Sequence, residues 1–285
     1  VSEPRVVTWE ATEEGLVPGG VHASLAEASR ALPEGAYTTL RTYGGRGVVR
    51  LLQHLHRLEE SVALQGRPGT VDAALAARSL AAALDAAGHP ESRVRLTFAP
   101  PRLFVSVEPF SPRPARLYEE GAACVTLDLR RKNPHAKDTR FVAAAQEAYG
   151  RLPAGVEEGL LVGEDGAILE GLSSNFFAVL GGVLRTEEER VLLGVTRALA
   201  LEVAQTVLPV VRRAVHREDL SRIEEAFLTS VSREVLPVVR IDGRPVGDGR
   251  VGPRTRRIMQ GFAALSERER TILADPSGRA RPGAG

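Results

Sequence analysis

The spacing of apolar residues changes several times along the chain. In GAYTTLRTYGGRGVV, two β-rich runs flank Gly44-Gly45-Arg46-Gly47, the signature of a hairpin turn. In LLQHLHRLEESVALQG, Leu51, Leu52, Leu55, Leu58 and Val62 recur at helical spacing, and Gly66 supplies a stop. VDAALAARSLAAALDAAG predicts a second, alanine-rich helix ending at Gly88. RVRLTF and RLFVSVEPF read as strands divided by Pro100-Pro101. Further on, AACVTLDL predicts a strand and DTRFVAAAQEAYGRL a helix. EGLLVGEDGAILEG predicts a hairpin turning at Glu164-Asp165-Gly166, and SSNFFAVLGGVLRT another turning at Gly181-Gly182. VTRALALEVAQTVL and PRTRRIMQGFAALSERER have helical periodicity, with a mostly strand-like stretch, EEAFLTSVSREVLPVVRIDGRPVG, between them.

These elements predict an α+β chain with many antiparallel strands and no internal repeat. Residues 1–110 form a smaller N-terminal α/β domain in this reading. Residues 111–121, with two prolines and little periodicity, form a linker. Residues 122–270 form a larger domain, and 271–285, without apolar periodicity, a mobile tail.

Composition narrows the function classes. Hydrophobic residues make up 43% of the 285 and charged residues 26%, which excludes wholesale disorder. The 37 basic and 36 acidic residues leave a net charge of +1, against a broad nucleic-acid surface. With Cys124 alone, an internal disulfide is excluded and a cysteine-built zinc site disfavoured. No apolar run reaches the ~20 residues of a membrane span, and the first residues lack a signal-peptide pattern. The expectation is a cytoplasmic protein with no membrane or nucleic-acid partner and no metal. Arginine serves almost every cationic position: there are two lysines, Lys132 and Lys137. Lysine alone of the two can lose its proton near neutral pH and attack a carbonyl as an amine.

Several residues carry candidate chemistry, each beside a plainer reading. Lys137 precedes a predicted helix and can project into a cleft, or sit on the surface as a solvated cation. Glu170 ends the strand GAILE, where a carboxylate can hold a ring nitrogen protonated or simply face water. Gly194, Val195 and Thr196 begin a helix whose free N–H groups suit a phosphate or a plain cap. Arg57 can pair with a phosphate, or with Glu59 or Glu60. Tyr37, Arg41 and Tyr43 share a strand face that lines a cleft or is exposed. The six histidines show no HExxH pair, and His54 and His56 fall on different helix faces. Ser61 and Cys124 have no partner assignable from sequence. No GxSxG elbow, Walker loop or GxGxxG fingerprint occurs.

In order and spacing, GAYTTLRTYGGR, QHLHRLEES, AKDTRF, EGLLVGEDGAILEGLSSNFFAVLGGVLRT, LLGVTR and FLTSVSREVLPVVRIDGRPVGDGRVGPRTRRI make the chain resemble the class IV aminotransferases, the fold-type IV pyridoxal-phosphate enzymes, from about residue 33 to about 263. Branched-chain and D-amino-acid aminotransferases and aminodeoxychorismate lyase belong to that family. The resemblance implies the two-domain fold-type IV architecture, with pyridoxal 5'-phosphate bound by the larger C-terminal domain. It implies that Lys137 forms the internal aldimine and shuttles protons, that Glu170 pairs with the pyridine nitrogen and that Leu192 packs on the ring. It further implies that Arg57, Val195, Thr196, Ser230 and Val231 serve the phosphate. Tyr37, Arg41 and Arg140 are candidates for substrate recognition.

The activity so implied is transfer of an amino group between an amino acid or amine and a 2-oxo acid, in a homodimer. A lyase releasing pyruvate and 4-aminobenzoate, and a non-catalytic ligand-binding relative, are the alternatives. Two departures point away from a standard branched-chain enzyme. Phe141 stands where the family often has a tyrosine whose phenol bonds the cofactor, and Val231 where it has a threonine.

Overall fold

The computed structural model describes residues 5–131 and 133–274; residues 1–4, Lys132 and residues 275–285 lie outside them. The chain divides into two compact units. Among the described residues, the first comprises 5–111, 136–139 and 269–274, and the second 112–131, 133–135 and 140–268.

The first unit begins with β1 (Val6–Thr12), β2 (Gly15–His22) and α1 (Leu25–Ala31), none of which the apolar spacing distinguishes. It continues through β3 (Ala36–Arg41), β4 (Gly47–Val49), α2 (Leu51–Leu64), α3 (Ala73–Ala87), β5 (Ser92–Ala99) and β6 (Arg102–Pro109). Five strands form an antiparallel sheet in the order β2-β1-β6-β5-β3. Strand alternation sends Ala36, Leu40, Val94, Leu96, Val105 and Val107 into a core with Leu55, Leu58 and Val62 of α2 and Leu80 of α3. Helix α3 has a defined start and stop. Asp72 accepts the Ala74 and Leu75 N–H groups at the start of α3, and Gly88 ends it at φ 66°, a backbone region that glycine enters without strain. Helix α2 departs from its expected face: Leu52 is exposed, whereas His54, Arg57 and Ser61 are buried.

The glycine-rich turn forms, with Tyr43 and Gly47 bridged across it. The following strand does not extend a ladder with β3 as the hairpin reading expects; β4 pairs with a strand from the far end of the chain, described below. Residue 47 has to be small, because a Cβ there would lie 2.5 Å from the Tyr43 carbonyl oxygen and 2.6 Å from the Arg270 side chain.

In the second unit, the expected linker contains a one-turn helix, α4 (Arg116–Glu119). After it come β7 (Ala122–Leu127), α5 (Phe141–Gly150), β8 (Glu158–Val162), β9 (Ala167–Gly171), β10 (Asn175–Leu180) and β11 (Val183–Arg185). Then follow α6 (Val195–Ala204), β12 (Val210–Val211), β13 (Val215–His216), a 3₁₀ turn at Arg217–Arg222, β14 (Glu225–Ser230), β15 (Glu234–Ile241), β16 (Arg244–Pro245) and α7 (Pro253–Arg268). Six strands run β10-β14-β15-β7-β8-β9, and the pair Asn175–Glu170 joins β9 back to β10, so the mixed sheet closes like a barrel. Closure removes free edges. Cys124, Leu160, Ile168, Phe176, Ala178, Leu228, Leu236 and Val238 cluster in its core. Phe177 and Phe227, opposite each other on β10 and β14, stack with ring centroids 4.6 Å apart.

The chain returns to the first unit with β17 (Arg270–Ile272), which pairs with β4, and Leu273 enters the first core. Ordered structure thus continues past residue 270, where the tail was expected to start; residues 275–285 of that expected tail lie outside the described residues.

Candidate functional site

In the first unit, Lys137 is held by its backbone rather than by a helix. Its carbonyl accepts the Tyr37 N–H at 2.9 Å, and its own N–H donates to Ser61 Oγ at 3.1 Å. Ala36 and Asp138 form an antiparallel bridge beside it, and Thr139 N–H and Oγ1 both donate to the Gly35 carbonyl. A four-residue segment is thereby zipped onto the start of β3. The Lys137 ammonium lies 4.7 Å from the centroid of the Tyr37 ring, and the Arg95 guanidinium lies 4.4 Å from the same centroid. Arg95 is anchored from behind by the Leu25 carbonyl and Ser29 Oγ of α1. Burial holds its guanidinium down to about 10, still protonated at neutral pH.

Helix α2 brings three polar side chains to the same unit. Ser61 donates to the Arg57 carbonyl at 2.7 Å while accepting from Lys137. Arg57 Nη2 donates to Thr38 Oγ1 at 2.5 Å, and Thr38 Oγ1 lies 2.7 Å from His54 Nδ1. The expected pairing of Arg57 with Glu59 or Glu60 does not occur: Glu59 accepts the Val71 N–H, and Glu60 faces His56. Burial holds Arg57 down to about 10, so it remains a cation. Its Nε is buried and has no hydrogen-bond partner among the described residues. Arg41, read as a substrate candidate, is already engaged. Its guanidinium stacks 4.2 Å from the Tyr43 centroid and 4.1 Å from that of Phe110, and it pairs with Glu91 at 3.2 Å.

In the second unit, Glu170 sits at the end of β9 with its side chain buried. Its Oε2 accepts the Leu192 N–H at 3.1 Å, and its Oε1 lies 3.0 Å from Arg131 Nε, an ion pair not aligned as a hydrogen bond. The Arg131 guanidinium stacks on Phe141, 4.0 Å from the ring centroid. Phe141 therefore acts here as an apolar platform for the cation that faces Glu170. Asn175 Nδ2 donates to the Leu192 carbonyl at 2.7 Å, so the loop entering α6 is fastened by Glu170 and Asn175. Gly194 follows, and a Cβ there would lie 2.6 Å from Asn175 Oδ1. No side chain caps α6, so the first N–H groups, those of Val195 and Thr196 among them, face outward from the helix start. Ser230 ends β14, and Val231 lies in the turn to β15. Ser230 Oγ is buried and without a hydrogen-bond partner among the described residues. Arg140 is exposed immediately before α5.

The donors present fit a phosphorylated cofactor with a basic ring nitrogen. In the first unit, Arg57 Nε is a buried donor without a hydrogen-bond partner among the described residues; in the second, Ser230 Oγ is another, and the α6 start adds uncapped amides. Glu170 is a buried carboxylate engaged by Arg131 and the Leu192 N–H, of the chemical type that accepts from a ring N–H.

Sequence reasoning missed Ser61, Thr38, His54, Arg131 and Asn175. The only signal for His54 was its position three residues before Arg57 on a helix, which places both on one face. The basic run at 130–132 gave no sign that Arg131 turns inward to a carboxylate 39 residues later.

The chain matches the model of the amino-transferase class IV family over residues 35–241 and belongs to that family. Two relatives are a Pseudomonas aeruginosa branched-chain-amino-acid aminotransferase and that of Escherichia coli K12. The first is 29% identical over 50% of this chain and 46% of its own length; the second is 37% identical over 39% of this chain and 37% of its own. The chain thus spans about half or less of the curated relatives it matches. Among solved structures, a branched-chain amino acid aminotransferase from T.th. with pyridoxamine 5'-phosphate superposes with a TM-score of 0.77 at 21% identity, covering 94% of this chain and 98% of that one. The enzyme from Thermoproteus uzoniensis with norvaline gives 0.75 at 24%, covering 95% and 100%. That likeness is one of fold: an N-terminal antiparallel sheet and a C-terminal mixed, barrel-like sheet. Among the described residues, no helix is long and apolar enough to cross a membrane.

Proposed function

We propose that this chain is a pyridoxal-phosphate-dependent aminotransferase that moves an amino group between an amino acid and a 2-oxo acid. The observation that carries the reading is the fixing of Lys137. Its backbone is held at both N–H and C=O, so its side chain starts from one position. When bound, pyridoxal phosphate supplies an electron-withdrawing ring that stabilises charge at the substrate carbon.

This chain's residues do the rest. Lys137 would hold the cofactor through its amine, and its Nζ would be the group that carries the proton. Glu170 would accept from the ring nitrogen, with Arg131 and the Leu192 N–H directing its carboxylate. For the phosphate, the first unit would supply Arg57, and the second unit the Val195 and Thr196 amides and Ser230 Oγ. Val231 contributes its backbone there, and Leu192 its apolar side chain against the ring. Tyr37 borders the Lys137 ammonium and is the substrate-side candidate best supported by position; Arg140 is a second.

The relatives' names make the branched-chain amino acids the first substrates to test. The assay follows amino transfer from valine, leucine, isoleucine and their D-isomers to 2-oxoglutarate. Formation of glutamate with matching loss of donor supports the reading. Pyruvate release from aminodeoxychorismate without an amino acceptor would replace it by the lyase, and no turnover of any donor would overturn it. A homodimer is part of the same reading. Light scattering should give twice the 30.6 kDa of the chain.

A further inference from the structure

Arg57 does not stand alone in the first unit. Thr38 is one of the inward positions of β3, and His54 lies three residues before Arg57 on the buried face of α2. Thr38 Oγ1 is 2.5 Å from Arg57 Nη2 and 2.7 Å from His54 Nδ1, and Arg57 Nη2 is itself 3.4 Å from that nitrogen. The direction of this chain follows from donor chemistry. A guanidinium only donates, so the Thr38 oxygen accepts from Arg57. The single Thr38 proton then donates to His54 Nδ1, which must be an acceptor, and the imidazole proton sits on Nε2. Both groups facing Nδ1 are donors, so a proton on that nitrogen would turn against the Arg57 cation.

We infer that His54, acting through Thr38, is a positioning residue that fixes the Arg57 guanidinium for the phosphate of the cofactor. The inference rests on the cofactor reading above and deepens it. Its physical content is that one edge of the fork is consumed by a directed hydrogen-bond chain. The buried Nε remains as a donor of fixed orientation.

The test separates phosphate recognition from general integrity. Dissociation constants for pyridoxal phosphate and for pyridoxal, which lacks the phosphate, are measured by absorption titration of the full chain. The proteins are the wild type, His54→Leu, His54→Asn, Thr38→Val and Thr38→Ser, with folding of each checked by near-UV circular dichroism. His54→Leu and Thr38→Val should weaken pyridoxal phosphate by roughly tenfold, the scale of one hydrogen bond to a charged group. Pyridoxal binding should stay unchanged, so that the preference for the phosphate falls. His54→Asn, whose Oδ1 can accept in place of Nδ1, and Thr38→Ser should restore it. A variant that weakens both ligands equally, or leaves the preference at the wild-type value, overturns the inference. Wild type that binds neither ligand overturns the cofactor reading, and this inference with it. As a measurement independent of substitution, ¹⁵N chemical shifts of His54 should show the Nε2–H tautomer in the wild type. The Nδ1–H tautomer would contradict the chain.

Discussion

Ser61 bonds in two directions, donating to the Arg57 carbonyl one helical turn back and accepting the Lys137 N–H from a distant segment. Removing its oxygen leaves a part-buried amide without that acceptor. Ser61→Ala is expected to cost about 1–2 kcal/mol, read as a lower urea midpoint with an unchanged slope. An unchanged midpoint would show that Lys137 is held by the β3 pairing alone. Sequence gave no hint of this role, because a serine inside a helix is ordinary and its partner lies 76 residues away. Lys137 stood out in the sequence for the opposite reason: in a chain that uses arginine almost everywhere, a lysine invites a chemical reading. Phe141 shows the limit of such reasoning. It was read as a lost phenol, and the structure gives the ring a positive use, stacking under the Arg131 guanidinium that pairs with Glu170.

Helix α2 was legible as a helix, but its buried face was not. Its leucines predicted the face, yet Leu52 is exposed and two ionisable groups, His54 and Arg57, lie inside. Burial, with the Arg57 and Lys137 charges nearby, depresses the His54 imidazole well below its ordinary value of 6.5. The native state therefore keeps His54 neutral while the unfolded chain takes up a proton below that value. The unfolded state then binds more protons, so stability falls as pH drops below about 6.5, by at most about 1.4 kcal/mol per pH unit from this group. Melting temperatures between pH 7.5 and 5.5 should fall less steeply for His54→Asn than for the wild type; equal slopes would contradict a buried neutral imidazole.

Strand β8 carries a second unforeseen polar element. Glu158, fully buried, accepts from Tyr149 Oη at 2.6 Å, Ser174 Oγ at 2.8 Å and Arg233 Nη1 at 3.1 Å. Burial and the Glu158 charge push the Tyr149 phenol up, so it stays a donor. Arg233→Met should destabilise by about 3–5 kcal/mol by leaving the carboxylate buried without its cation. Adding Glu158→Gln should recover part of that loss in a double-mutant cycle. Additive losses would mean that the two charges do not interact.

Over the whole molecule, the alternation of periods located most strands and helices, because strand and helix periods are local properties of the chain. Membership of the two units is not local. Residues 136–139 and the chain from Glu269 belong with the N-terminal segment, and no local pattern reports that. The return of β17 is testable. A chain ending at Arg268 loses the β4 pairing and the burial of Leu273 that a chain ending at Ala274 keeps. The shorter chain should be less stable by about 2–3 kcal/mol, roughly one buried leucine plus a short ladder. Equal stability in thermal melts would show that β17 adds nothing.

The central claim is that Lys137 is the residue through which this chain handles its cofactor. The most direct test is to add pyridoxal phosphate to the purified protein, record the visible spectrum, reduce with borohydride and map the labelled peptide. A visible band, with the phosphopyridoxyl group on the peptide containing Lys137 and lost in Lys137→Ala, is the predicted result. A label on Lys132 that persists in Lys137→Ala, or no label at all, would contradict the account.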